Sequence, residues 1–330
     1  MPLISVIIPT YDRERFVVKA IDSVLRQSFT DLELIVIDDG STDGTRKILE
    51  AYGANIRCIV QENAGVSSAR NTGIKSAHGM WVAFLDSDDE WTKDYLSTQV
   101  EQIEKFPAAV AHITNAVTVS LDGGRSSLFV ETGLLDRFKA KSCLIFERPL
   151  WVIVTHAPWF LQSTIMRRDT LLKAGLLDEG LSIAEDLDLV ARVALRGPFT
   201  FCRKELVEVY RRKELIENLV AQGLKRGIYT YTSFGKVYAS LLNVPGLTLM
   251  ERTTIARALS STNRALGNVL VMAGKKVEAR QVYKESFCGY PSVRSLIKLA
   301  ATFLPGGISR VLVRKGRHIL PEEDTRSRLL

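Results

Sequence analysis

The chain lacks the run of roughly 18–20 apolar residues that a membrane-spanning helix requires. Its nearest approach, residues 144–161, is interrupted by Glu147, Arg148, His156 and two prolines, which argues against a transmembrane segment. Cysteine is scarce. Cys58, Cys143, Cys202 and Cys288 are far apart and share no paired spacing, which excludes a CxxC metal knuckle and a disulfide framework. They read as reduced core residues of a cytoplasmic protein. The sequence enters a β-rich run almost at once, so no signal peptide is predicted. Glycine is missing where a dinucleotide-binding fold needs it. Pyrophosphate must approach the backbone after the first strand, yet the loop Pro9-Thr10-Tyr11-Asp12-Arg13 has no glycine, which excludes a nicotinamide cofactor. Basic residues interleaved with aromatics are also lacking, so no nucleic-acid partner is expected.

What is present is a chain of 330 residues, 46% hydrophobic, enough for one large or two modest domains. The net charge of +7 is unevenly spread: from residue 219 onward 18 Lys/Arg stand against 6 Asp/Glu, and before it 26 stand against 31. Apolar runs at 4–8, 32–37 and 56–60 alternate with helical patterns at 16–27 and up to about residue 52. Two β-α-β units therefore open the chain, which predicts a right-handed parallel sheet. A further strand is expected at 110–120 and a loop at 121–127. Beyond about residue 215 strand signals stop. The reading is an α/β domain over 1–215 and a basic α-helical region over 216–330. Within the latter, residues 257–283 resemble one tetratricopeptide-like helical hairpin, and Val293, Leu296, Ile297 and Ala300 share one helical face beside Arg294 and Lys298. Ile308, Val311 and Leu312 repeat that pattern with Arg310 and Arg314.

The stretch that organises the chain is Met80-Trp81-Val82-Ala83-Phe84-Leu85-Asp86-Ser87-Asp88-Asp89. An apolar run reads as a buried strand, and three carboxylates at its end face the place where open α/β sheets bind ligands. Clustered carboxylates repel one another, and a hard cation relieves that. A helix N-cap is the structural alternative, for a helix over 91–106. Arg70 and Asn71, in a small-residue stretch, offer fixed donors to a phosphate or ribose. A second acidic cluster, Glu185-Asp186-Leu187-Asp188, heads an amphipathic helix, where the helix dipole alone would favour one or two of its charges.

Ser5-Val6-Ile7-Ile8-Pro9-Thr10-Tyr11, Ile37-Asp38-Asp39-Gly40-Ser41-Thr42-Asp43, Ala69-Arg70-Asn71-Thr72-Gly73 and Phe84-Leu85-Asp86-Ser87-Asp88-Asp89 resemble the successive motifs of family 2 glycosyltransferases. The resemblance covers roughly the first 215 residues. It implies the GT-A fold, a Rossmann-like, mostly parallel sheet flanked by helices, and an inverting transfer of a sugar, expected from a UDP-sugar, to a hydroxyl of a glycan or lipid-linked acceptor. It implies that Pro9, Thr10 and Tyr11 line the base, with Tyr11 stacking on uracil and Asp39 accepting the imide proton. Arg70 and Asn71 would stand near the ribose or diphosphate. Asp86 with Ser87 would hold the ribose or sugar side, and Asp88 would ligate Mg2+ or Mn2+ on the diphosphate. Asp186 would be the catalytic base, with Asp188 its rival and Glu185 orienting it or the acceptor. Trp159 would stack on an acceptor sugar, with a core position among its apolar neighbours as the alternative. Where many relatives carry a histidine near the metal, this chain has Lys213, which with Arg212 would form a basic lid. The basic helices suit an anionic membrane surface and equally suit packing on the catalytic domain with a solvated basic face; the protein is expected in the cytoplasm or peripherally on the inner face of the membrane. Two other functions remain open at this level: a catalytically weak nucleotide-sugar-binding scaffold, and a nucleotidyltransferase on a related fold.

Overall fold

The computed structural model describes residues 2–211 and 213–304, with residues 213–223 in backbone only. Two compact units divide the chain, Met1–Arg212 and Lys213–Leu330.

The first unit is built on ten strands: β1 (Ile4–Thr10), β2 (Leu32–Asp38), β3 (Arg57–Val60), β4 (Trp81–Phe84), β5 (Glu90–Trp91), β6 (Ala111–Val119), β7 (Arg125–Ser127), β8 (Cys143–Phe146), β9 (Thr164–Arg167) and β10 (Phe199–Tyr210). They form one sheet in the order β3-β2-β1-β4-β9-β6-β10-β5, with β7 on β6 and β8 on β10. The expected parallel start is observed: β3, β2, β1 and β4 run parallel. β9 then enters antiparallel to both β4 and β6. Every residue of β1 and β4 is buried, as a sheet covered on both faces demands. The helix Val66–Ser76 packs closely on β1 because Gly73 presents no side chain, and a Cβ there would collide with Ile7.

Three local expectations are corrected. Glu90 and Trp91 form β5 against β10, and the helix begins only at Tyr95, with Asp94 at its N-cap position and no side-chain capping bond, so Asp86, Asp88 and Asp89 are not an N-cap. The expected loop at 121–127 contains β7, paired to β6. The cysteines are not all core residues: Cys58 and Cys288 are exposed, whereas Cys143 and Cys202 face each other in register on β8 and β10.

The second unit contains the helices Lys213–Leu242, Leu249–Met272, Lys276–Gly289 and Val293–Ala301. Thr248 and Glu251 close a reciprocal capping box at the start of the second of these. Leu270, Val271, Ala279 and Tyr283 form its core across the expected hairpin, with Gly267 giving room to the Tyr283 ring. The last helix is turned opposite to its pattern. Ser295 and Ala301 face inward, while Val293 is 72% exposed and Leu296 and Ile297 are exposed beside it. Buried hydroxyls explain this: Ser295 bonds Ser286 at 2.9 Å, and Ser286 bonds Ser260 at 2.8 Å. The second basic pattern, with Ile308, Val311 and Leu312, lies outside the described residues.

Candidate active site

Sheet order reverses at β1 and β4, which pair in parallel with Ile7 opposite Phe84. A cleft at such a reversal, at the carboxyl ends of the strands, is where α/β sheets bind ligands. Pro9, Thr10, Asp38, Asp39 and Asp86 to Asp89 all lie at or just beyond those ends. Pro9 and Thr10 are buried, and the Thr10 hydroxyl has no hydrogen-bond partner. Tyr11 is 42% exposed, so its ring has a free face. The loop that follows is fixed by its neighbour: Asp12 accepts from Thr42 N at 2.7 Å, and Glu14 accepts from Gly44 N at 2.7 Å. Asp39 is buried and already accepts from Gln61 Nε2 (2.7 Å), Ala64 N (3.0 Å) and Gly65 N (2.8 Å). It therefore clamps the 61–65 loop, and a base imide would have to share its remaining lone pair.

Arg70 is the centre of the charge arrangement. Its buried guanidinium donates to Asp86 Oδ1 at 2.8 Å and to Glu185 Oε1 at 3.3 Å. Burial opposes that charge, but Asp86 and Glu185 outweigh it and hold Arg70 protonated. Arg70 thus joins Asp86, 16 positions on, to Glu185, 115 positions on, through one side chain.

Glu185 and Asp186 head the helix Glu185–Ala194, entered through Ala184 in a left-handed conformation (φ 69°). Burial and the adjacent Asp186 push the Glu185 carboxyl up to about 7, with Arg70 opposing. Burial likewise raises Asp186, which accepts a hydrogen bond from Leu187 N at 2.7 Å. A carboxyl raised toward neutrality suits proton abstraction. Asp188 is different: Arg192 grips it with Nε at 2.9 Å and also holds the carbonyls of Ala174 and Leu176. Its role is to tie this helix to the preceding loop.

Several expected site residues serve the framework instead. Asn71 is 3% exposed; its amide donates to Leu177 O (3.0 Å) and Glu179 Oε1 (2.8 Å) and accepts from Leu177 N (2.9 Å). Both amide hydrogens are thus engaged, and Asn71 staples the 175–179 loop. Trp159 is 7% exposed, which leaves no face for a sugar. Ser87 is buried. Arg212 and the Lys213 side chain lie outside the described residues.

Two residues carry more than their sequence context suggested. Gln162, just before β9, donates from Nε2 to Asp86 Oδ2 (2.6 Å) and Asp89 Oδ2 (2.8 Å). Asp89 also accepts from Tyr210 N at 2.9 Å, which ties the end of β10 to this loop. Burial, with Asp86 and Asp88 nearby, raises the Asp89 carboxyl. An isolated glutamine carries no spacing signal; only the antiparallel β9, starting beside the end of β4, brings it there.

The donor set fits a divalent cation completed by its substrate. Among the described residues no group of three His, Cys, Asp or Glu side chains forms a cage. Asp86 and Asp89 are engaged by protein donors, and Asp88 lies half-buried between them on the same loop. Mg2+ is commonly held by one or two carboxylates plus substrate phosphates rather than by an all-protein cage.

The family model for glycosyl transferase family 2 matches residues 5–156. The uncharacterized glycosyltransferase EpsJ of Bacillus subtilis is 34% identical over 194 residues, 56% of this chain and 54% of that protein. The Escherichia coli UDP-Glc:alpha-D-GlcNAc-diphosphoundecaprenol beta-1,3-glucosyltransferase WfgD is 43% identical over 105 residues, 31% of this chain and 42% of that one. The chain thus spans about half the length of these curated relatives. Among solved structures, S. aureus TarS 1-349 in complex with UDP-GlcNAc superposes with a TM-score of 0.70 at 19% identity, over 96% of this chain and 92% of that one. At that identity the likeness concerns the fold, which is GT-A. The chain thus carries a glycosyl transferase family 2 domain over residues 5–156.

Proposed function

We propose that the chain transfers a sugar from a nucleotide-sugar, a UDP-sugar, to a hydroxyl of a glycan or lipid-linked acceptor with inversion. The observation that supports this is the Arg70 bridge, 2.8 Å to Asp86 and 3.3 Å to Glu185, which joins the aspartate we assign to the donor to the neighbour of the candidate base Asp186. In this reading Tyr11 stacks on the base and Asp39 accepts from it. The acceptor hydroxyl gives its proton to Asp186 as its oxygen attacks the anomeric carbon, and the bond to the diphosphate oxygen breaks on the opposite face. Mg2+ or Mn2+ at Asp88 would neutralise charge growing on the diphosphate. The UDP-Glc and diphosphoundecaprenol in the name of WfgD favour a uridine donor and a lipid-linked acceptor. Calorimetric titration of UDP, GDP, dTDP and CDP with and without Mn2+ tests the donor site. Metal-dependent UDP binding that Asp88→Ala abolishes is the expected result, and no nucleotide binding under any condition would sink the reading.

The lipid-linked acceptor brings a membrane surface with it. Among the described residues no helix is long and apolar enough to cross a membrane. The outward face of Val293, Leu296 and Ile297, with Phe303 68% exposed, supports peripheral docking instead. Residues 224–304 carry 12 Lys/Arg against 3 Asp/Glu, a charge that suits anionic lipid. Co-sedimentation with liposomes should favour anionic over neutral lipid and weaken in Leu296→Glu; equal binding to both lipids would refute the electrostatic part.

A further inference from the structure

We infer that Gln162 is a positioning residue that sets the geometry of the donor-side carboxylates, acting through Asp86 and Asp89. The inference rests on the reading of Asp86 as a donor-site residue. Asp86 has two oxygens, and each has a different protein donor. Arg70 holds Oδ1 from the helix Val66–Ser76, and Gln162 holds Oδ2 from the turn before β9. Two donors from separate elements fix both the position and the plane of the carboxylate, which one alone would leave free to swing.

The second hydrogen of the same amide goes to Asp89 Oδ2. Gln162 therefore spaces two carboxylates that would otherwise repel each other, and does so without adding a charge of its own. The charged groups around it are Asp86, Asp88 and Asp89 on the loop, Arg70 on its helix, and Glu185 and Asp186 beyond Arg70. Lysine or arginine in its place would neutralise the loop and compete with a divalent cation. Glutamate would add a further negative charge and remove both donors. A neutral double donor of this length suits the position.

The main chain at Gln162 is held as well. Gln162 is buried, and its backbone carbonyl accepts from the indole Nε1 of Trp91 at 2.8 Å. Trp91 lies on β5, which pairs with β10, and the end of β10 donates to Asp89 through Tyr210 N. The loop 86–89 is thus held at both ends by one closed circuit through β9, β5 and β10.

The experiment pairs variants from the two ends of the bridge. Gln162→Met keeps the shape and removes both donors. Asp89→Asn keeps the shape and sets an amide against the amide of Gln162. UDP with Mn2+ is titrated calorimetrically into the full chain and each variant. Steady-state donor and acceptor KM are measured alongside, with melting temperature as a control. Each single variant is expected to weaken UDP binding about tenfold and raise donor KM, with acceptor KM unchanged, and the double variant should be no worse than either single. Gln162→Asn, which retains a donor, should recover part of the loss. UDP affinity within twofold of wild type in folded Gln162→Met or Asp89→Asn overturns the inference while leaving the proposed function intact. Equal rises in donor and acceptor KM, or effects that add in the double variant, also overturn it. If wild type itself binds no nucleotide, the donor-site reading fails and takes this inference with it.

Discussion

Arg192 grips Asp188 one turn away on the same helix, and this contact separates Asp188 from Asp186 two residues earlier. The two aspartates are alike in sequence context, yet one is bound into the framework and the other lies beside the Arg70 bridge. Asp186→Asn should therefore lower transfer at least a hundredfold, within the range general-base catalysis supplies, while UDP binding and melting temperature hold. Asp188→Asn should do the reverse, lowering the melting temperature more than it lowers turnover per folded molecule. Activity assays alongside thermal denaturation decide between them.

Glu185 should make stability depend on pH. Its carboxyl rises from an ordinary 4.5 to about 7 in the folded chain, through burial and the neighbouring Asp186. Between those values the folded form holds a proton that the unfolded form has released. Stability from this group is complete below about 4.5 and is lost as pH rises toward 7. Glu185→Gln should flatten that slope in urea unfolding without nucleotide. A variant with the wild-type slope between pH 5 and 8 would assign it elsewhere.

Cys143 should be the most reactive thiol near neutral pH. The Cys202 thiol hydrogen-bonds to it and lowers its pKa to about 6, with Ser142 and Gln102 adding to this and burial opposing it. Iodoacetamide at pH 7 should label Cys143 ahead of exposed Cys58 and Cys288, as read by peptide mass spectrometry. Cys202→Ala should slow that labelling and move its midpoint toward the ordinary thiol range.

Gly73 is predicted to tolerate no side chain. A Cβ there would strike Ile7 in the middle of a fully buried strand, so Gly73→Ala should cost about 1–3 kcal/mol of stability despite the better helix propensity of alanine. The urea midpoint measures it, and an unchanged midpoint would show that the helix can move away from β1.

The first four strands were legible because each is an apolar run closed by turn residues, and the run 86–89 drew attention because charge follows burial so abruptly. The helical hairpin was legible for a similar reason: Ala273 to Lys276 interrupts two clear helical periods. What was not legible depends on pairing at long range. β9 is four residues, too short to show a period, and its place between β4 and β6 follows from partners 51 to 86 positions away. Gln162 inherits its position from β9. For Asn71 and Trp159 a motif gives type and place in sequence, whereas the hydrogen bonds of the one and the burial of the other depend on what folds against them. The outward turn of Val293, Leu296 and Ile297 likewise follows from buried serines that no hydropathy pattern weights.

The antiparallel placement of β9 also determines where the chain can be cut. The family match ends at residue 156, before β9 begins at Thr164, although β9 is what joins β4 to β6. A fragment ending there would leave β4 with an open edge, and β6 would lose both β9 and β10. Such unpaired edges are templates for pairing with other chains. The stretch that the family model matches is therefore shorter than the stretch that can complete its own sheet. During synthesis the first strands must wait, with the edge of β4 uncovered, for residues beyond that match.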